Sequence, residues 1–151
     1  MKKKVSALEA HLGYWLRMVS NRVSHEFKRK VEETGVTVAE WVVLRKLLET
    51  EPAFPAQIAD ALGMTRGAIS KLHERLLAKE LIAISPSLTD RRAQIVELTH
   101  RGRVLVPKLA ALADENDAAF FGVLDDAEQK KLRTLLEKLM HVHGIATPPV
   151  D

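Results

Sequence analysis

The sequence predicts a mostly α-helical fold with a small β-hairpin wing: a winged helix-turn-helix carried between N- and C-terminal dimerisation helices. Three observations predict it. Apolar residues, chiefly Leu, Val and Ala, recur at threes and fours along the 151 residues, while aromatic residues make up only 5%. The β-prone runs are two short ones, residues 81–85 and 93–98, close together behind a helical segment. Capping boxes, Gly and Pro cut the rest into six helical segments with short connections.

The elements follow in order. Ser6-x-x-Glu9 has the form of a capping box, and Leu8, Leu12, Trp15, Val19, Val23 and Phe27 then mark one face of a long first helix that ends near Gly35. Thr37-x-x-Glu40 opens a second helix through Trp41, Leu44, Leu47 and Leu48, which stops before Glu51-Pro52. Pro55 suits a first helical position, and Ile58, Ala59 and Leu62 form the buried face of a short third helix ended by Gly63. Thr65 caps a fourth helix that buries Ile69, Leu72 and Leu76 and runs to about Lys79. The two β-runs pair as an antiparallel hairpin with a basic tip. Thr99 caps a long fifth helix with Leu105, Leu109 and Leu112, in which Pro107 is expected to produce a kink. Asp125-x-x-Glu128 caps a sixth with Leu132, Leu135, Leu136 and Leu139, and residues 145–151 read as a loose tail. Residues 1–35 and 100–144 are thus expected to serve dimerisation, and residues 36–99 to form the winged domain.

Composition narrows the chemistry. With no cysteine there is no disulfide, thiolate metal site or thiol switch. No apolar run is long enough for a signal peptide or membrane span, so the expectation is a cytoplasmic protein without a membrane partner. His25-Glu26 and His73-Glu74 lack the second His of a zinc-protease helix, and His141-x-His143 beside the tail reads as solvated, so no metal is expected. G-x-S-x-G, P-loop and G-x-G-x-x-G motifs are missing, so no catalytic residues, no cofactor and no enzyme are expected. The net charge is +3 with a pI near 9.3. Its distribution says more: Arg66, Lys71, Arg75, Lys79, Arg91 and Arg92 crowd one segment, whereas residues 112–128 hold acids without a Lys or Arg.

The segment from Pro55 to Leu76 has helix-turn-helix spacing, with small Ala59 at the helix contact, Gly63 in the turn, and Ile69 and Leu72 beneath the second helix. With Ile69, Leu72 and Leu76 inward, Gly67, Ser70, Lys71, Glu74 and Arg75 turn outward and Arg66 sits at the exposed N-terminal end. A helix entering the major groove reads bases near its N-terminus with side chains that donate or accept hydrogen bonds. The expected double-stranded DNA contacts on this helix are therefore Thr65, Arg66, Gly67, Ser70, Lys71 and Arg75. In the wing, Asp90-x-Arg92 places a carboxylate where it can orient the Arg92 guanidinium for a narrow minor groove, and Arg91 is placed to hold phosphate.

The run Asp90-Arg91-Arg92-Ala93-Gln94-Ile95-Val96-Glu97-Leu98-Thr99 followed by Gly102 resembles the D-x-R…V-x-L-T-x-x-G wing signature of the multiple antibiotic resistance regulator (MarR) family. The six-helix order resembles that family over nearly the whole chain. The resemblance implies a homodimer joined through helices one, five and six, a pseudo-palindromic operator, and release by small aromatic or phenolic ligands. It also implies phosphate and base contacts on Thr65, Arg66, Ser70 and Lys71, and a minor-groove contact on Arg92 braced by Asp90. Phe54-Pro55 departs from the pattern by lacking the Ser, Thr or Asp that often opens the third helix.

A second copy of the chain is also expected on physical grounds, because the first and last helices carry apolar stripes broader than one small winged domain can bury; the dimerisation residues are Leu8, Leu12, Val19, Leu132, Leu135, Leu136 and Leu139. Tyr14, Trp15, Met18 and Trp41 border that junction and are candidates for a small-molecule effector crevice, although apolar stripes at helical spacing are more often plain core. The function expected from all this is a ligand-responsive, sequence-specific transcriptional repressor. The rivals are an activator or architectural DNA protein and a protein-interaction module.

Overall fold

The computed structural model describes residues 4–150. Its element order is α1 (Leu12–Glu32), α2 (Val38–Thr50), α3 (Pro55–Leu62), α4 (Arg66–Ala78), β1 (Ile82–Pro86), β2 (Gln94–Leu98), α5 (His100–Phe121) and α6 (Asp126–Val142). α1 and α2 pack along α5, α3 packs on α4, and β1 and β2 form a two-stranded antiparallel sheet in which Ile82 faces Leu98 and Pro86 faces Gln94.

Most helix starts are dictated locally. Thr37 Oγ1 accepts from the Glu40 N–H at 3.2 Å while the Thr37 N–H donates to Glu40 Oε2 at 3.1 Å, a complete capping box. Asp125 and Glu128 repeat the device at α6. α3 has no capping side chain at Phe54; instead Gln57 Oε1 reaches back to accept from the Phe54 N–H at 2.9 Å, behind Pro55 at the first position. Gly63, at φ 62°, ends α3, with the Met64 N–H donating to Ala59 O.

The first helix begins later than its capping box predicts. Residues Leu8–Ala10 form one 3₁₀ turn, His11 is extended, and α1 starts at Leu12 without a side-chain cap. Trp15 donates its indole N–H to the Glu9 carbonyl at 2.9 Å, which fixes the preceding turn against α1 instead of continuing it. The strands lie within a residue of expectation, and α5 runs on through Pro107.

The core is shared by the winged domain and α5: Val43, Leu44, Leu47, Ile58, Ile69, Leu76, Val96, Val106 and Leu109 are essentially inaccessible to solvent. Two features tie the hairpin down. Ala53 and Val96 exchange both backbone hydrogen bonds, so the α2–α3 connection adds a one-residue bridge to β2. Glu51 accepts from the Leu98 N–H at 2.8 Å and pairs with Arg103 on α5. Asn116, buried, donates from Nδ2 to Val23 O at 3.1 Å and locks α5 to α1. Residues 145–150 carry no regular structure, yet Thr147 stands over Gly63, and Pro148 lines a cleft with Trp41 and Leu62. Among the described residues no helix is long and apolar enough to cross a membrane.

Candidate nucleic-acid interface

The exposed face of α4 follows from its buried one. Ile69, Leu72, His73 and Leu76 point into the domain, which leaves Arg66, Gly67, Ser70, Lys71, Glu74 and Arg75 at the surface. Thr65 caps the helix, its Oγ1 accepting from the Ala68 N–H at 3.1 Å, and its own hydroxyl hydrogen stays available. Arg66 and Lys71 have no carboxylate within 4 Å among the described residues.

Arg75, expected among the DNA contacts, is exposed but already has partners on and beside α2. Its Nε donates to Glu40 Oε1 at 2.9 Å and its Nη2 to Thr37 Oγ1 at 3.3 Å, so the guanidinium is held on α2. Lys79 Nζ lies 2.6 Å from the other Glu40 oxygen. Glu40 is fully buried, and no sequence pattern marks it as more than a capping residue. Burial pushes its carboxyl up, but the Lys79 hydrogen bond and charge, the Thr37 N–H and the Arg75 hydrogen bond together outweigh that and hold it below the ordinary 4.5. The result is a clamp that sets the recognition helix against α2.

Glu40→Gln is therefore expected to lower stability by about 2 kcal/mol near neutral pH, since the two released cations are partly exposed and rehydrate. Because the folded carboxyl ionises below 4.5, the contribution is complete above that pH and fades as pH falls through the folded value. Denaturant unfolding from pH 7 to pH 3 checks this: the wild type should lose the increment below about pH 4.5, where the two proteins converge. His73, buried with Nε2 unpartnered, has its pKa lowered from 6.5 by desolvation and destabilises both proteins alike as pH falls below 6.5.

At the wing the order is set by a seven-residue connection closed by Ser87 N–H to Ala93 O at 2.8 Å. Asp90 acts differently from expectation: its Oδ1 accepts from the Arg92 backbone N–H at 3.0 Å, not from the guanidinium. A carboxylate two residues before an N–H closes an Asx turn more readily than it reaches the end of a long side chain. Asp90 thus shapes the tip, while Arg91 and Arg92 extend freely with no ion pair among the described residues.

The effector candidates are spread out. Tyr14 and Trp15 meet edge to face at 5.6 Å on α1, and Trp15 and Met18 are about half exposed. Trp41 packs against the core and lines the cleft that Pro148 enters, which Tyr14, Trp15 and Met18 do not line. Leu8, Leu12, Val19, Leu135, Leu136 and Leu139 are exposed and Leu132 is half-buried. His141 and His143 are exposed, and the described residues hold no cluster of three or more potential metal ligands.

Known proteins share this architecture and sequence. A MarR family model matches residues 34–93, from the turn before α2 to the wing tip. The HTH-type transcriptional repressor NicR of Pseudomonas putida is 30% identical over 85% of this chain and 82% of its own. Bordetella bronchiseptica BpsR, whose DNA binding is regulated by 6-hydroxynicotinic acid, is 28% identical and superposes with a TM-score of 0.75 over 90% of this chain and 97% of that one. A mutant MarR from E. coli complexed with operator DNA, 22% identical, shares the fold with a TM-score of 0.75 over 85% of this chain and 93% of its own. The chain accordingly belongs to the MarR family of winged helix-turn-helix transcriptional regulators.

Proposed function

We propose that the protein is a homodimeric repressor that binds a pseudo-palindromic operator, with α4 of each protomer in the major groove, Arg92 of each wing in the flanking minor groove, and release by a small aromatic acid. The observation that carries the reading is the grouping of unpaired donors: Arg66, Ser70 and Lys71 on α4 and Arg91 and Arg92 on the wing are exposed, and a cleft lined by Arg66, Ser70 and Gln94 joins the two groups. Residues 36–99 then form the DNA-binding domain, and residues 1–35 and 100–144 pair the protomers. Pairing is supported by the exposed apolar faces of α1 and α6, and the repressor role by NicR. The aromatic-acid effector is supported by 6-hydroxynicotinic acid acting on BpsR. Helices one turn of DNA apart require recognition elements spaced by about 34 Å.

Selection from a random duplex pool at near-physiological salt tests it, with wild type and Arg92→Ala in parallel. The wild type should enrich an inverted repeat with half-sites one helical turn apart, and Arg92→Ala should bind the winner more weakly by about 1–3 kcal/mol. Adding 6-hydroxynicotinic acid and related aromatic acids to the wild-type complex should release it. Unspecific binding alone would mark an architectural protein, and no binding a protein-interaction module.

A further inference from the structure

Between the N-terminal ends of α3 and α4 and the start of β2 lies an open cleft of about 310 Å³. Phe54, Pro55 and Ile69 supply apolar lining, and Arg66, Ser70 and Gln94 supply polar groups; no carboxylate lines it. The three polar side chains are exposed, and none spends a donor on another side chain or on backbone among the described residues. Phe54 is 38% exposed, an aromatic left open at a position that no local packing requires.

The position of this cleft decides what fits it. One wall is the helix placed in the major groove, and the other is the base of the wing placed in the minor groove. What separates the two grooves of a duplex is one sugar–phosphate strand, so a cleft between two such elements straddles that strand. A nucleotide backbone offers alternating apolar deoxyribose and anionic phosphate, which matches an apolar floor with uncompensated donors at its rim. Gln94 is the residue that completes the match. It is the first residue of β2, held opposite Pro86 by the hairpin register, so its amide is presented from a fixed backbone.

We propose that this cleft is a phosphodiester seat in which Gln94 Nε2, with Ser70 and Arg66, donates to phosphates of the strand passing between the grooves while Phe54 packs on a sugar. The assignment rests on the DNA-binding reading above and adds Gln94 and Phe54 to it. It makes Ser70 a strand contact and leaves Lys71 on the base edges. Contacts of this kind set the register of helix and wing on the duplex and carry no sequence information themselves.

The test uses the full chain and the selected duplex, carrying a neutral methylphosphonate at one backbone position at a time, against wild type, Gln94→Ala and Gln94→Glu. For the wild type, one or two neighbouring positions per half-site, between the two groove contacts, should each weaken binding about tenfold. Gln94→Ala should lose a similar factor on the selected duplex and on unrelated duplexes alike, and methylphosphonate at those same positions should cost it less than it costs the wild type, since Arg66 and Ser70 remain to hold the strand. Gln94→Glu should lose more, because it places an anion against the strand. Wild-type affinity in Gln94→Ala overturns the proposal, as does a loss confined to the selected sequence with the methylphosphonate response intact, which would make Gln94 a base reader. Failure of the wild type to bind any duplex would overturn the parent reading instead, and thermal melts of both variants show whether the exposed change leaves the fold in place.

Discussion

Gly102→Ala is expected to lower the melting temperature by about 6–12 °C. Gly102, the third residue after the Thr99 cap, is where α5 passes against the start of the strand that follows α4. A β-carbon built on Gly102 would lie 2.2 Å from the Leu81 carbonyl oxygen and 3.3 Å from Leu98 Cδ2. The first of these is backbone and cannot rotate away. It is also committed, because the Leu81 carbonyl accepts from the Thr99 N–H at 3.1 Å and the Thr99 hydroxyl donates to Glu80 O at 2.7 Å while accepting from the Gly102 N–H at 3.1 Å. A methyl group here forces α5 away from β1 and breaks that knot of three hydrogen bonds. Overpacking of a rigid site combined with a lost cap costs at least about 3 kcal/mol. At roughly 2–4 °C per kcal/mol for a chain of this size, that gives the stated range. The control is Gly67→Ala, whose added methyl meets nothing within 4 Å and which should melt at or slightly above the wild-type temperature. Equal melting temperatures for the two variants would show that α5 is free to slide on the hairpin.

Gly102 illustrates where sequence reasoning reaches and where it stops. The T-x-x-G pattern was legible, and the structure supplies its cause in the contact with Leu81. Helices opened by side chains that bond their own backbone were legible too, since Thr37, Thr65, Thr99 and Asp125 act within three residues. Ser6 failed by the same logic, because a competing bond from Trp15 to Glu9 O fixes the chain before it can become helical. The turn after α4 is made by Glu80 at φ 59°, a residue type that gives no hint of a left-handed backbone. What the sequence could not show were partnerships across long separations. A helical wheel of α4 places Arg75 on the outward face but cannot show that Glu40, 35 positions away on α2, engages its guanidinium. Glu51 with Arg103 and Asn116 with Val23 are likewise products of the fold, as is the cleft that Ser70 and Gln94 both line.

On the proposed pairing of two protomers through α1 and α6, Leu135→Glu combined with Leu139→Glu should give a monomer and weaken operator binding by about 100-fold or more. α6 leans on the rest of its own chain mainly through Gln129, which donates to Phe121 O and Leu124 O at 3.1 Å, so its apolar stripe gains little cover from within. Leu135 is 51% exposed and Leu139 is 49% exposed, and on α1 Leu12 and Trp15 are 87% and 51% exposed. Stripes of this extent on two helices exceed the scattered exposure normal for a monomer, and a second copy would cover both at once. Two carboxylates at i and i+4 inside such an interface would be buried without partners, a cost of several kcal/mol per protomer. In the monomer the same positions face water and glutamate favours helix, so the circular dichroism spectrum should hardly change. Sedimentation should then give about 16.9 kDa instead of twice that value. The loss of operator affinity follows from geometry: a monomer has one α4 and one wing, so it forfeits the effective concentration that linkage gives the second half-site, worth about 10²–10⁴. Binding to an isolated half-site should stay the same, because Arg66, Lys71 and Arg92 are untouched. A variant that sediments as a dimer and grips the full operator as before would place the pairing surface elsewhere on the chain, and α6 would lose its role.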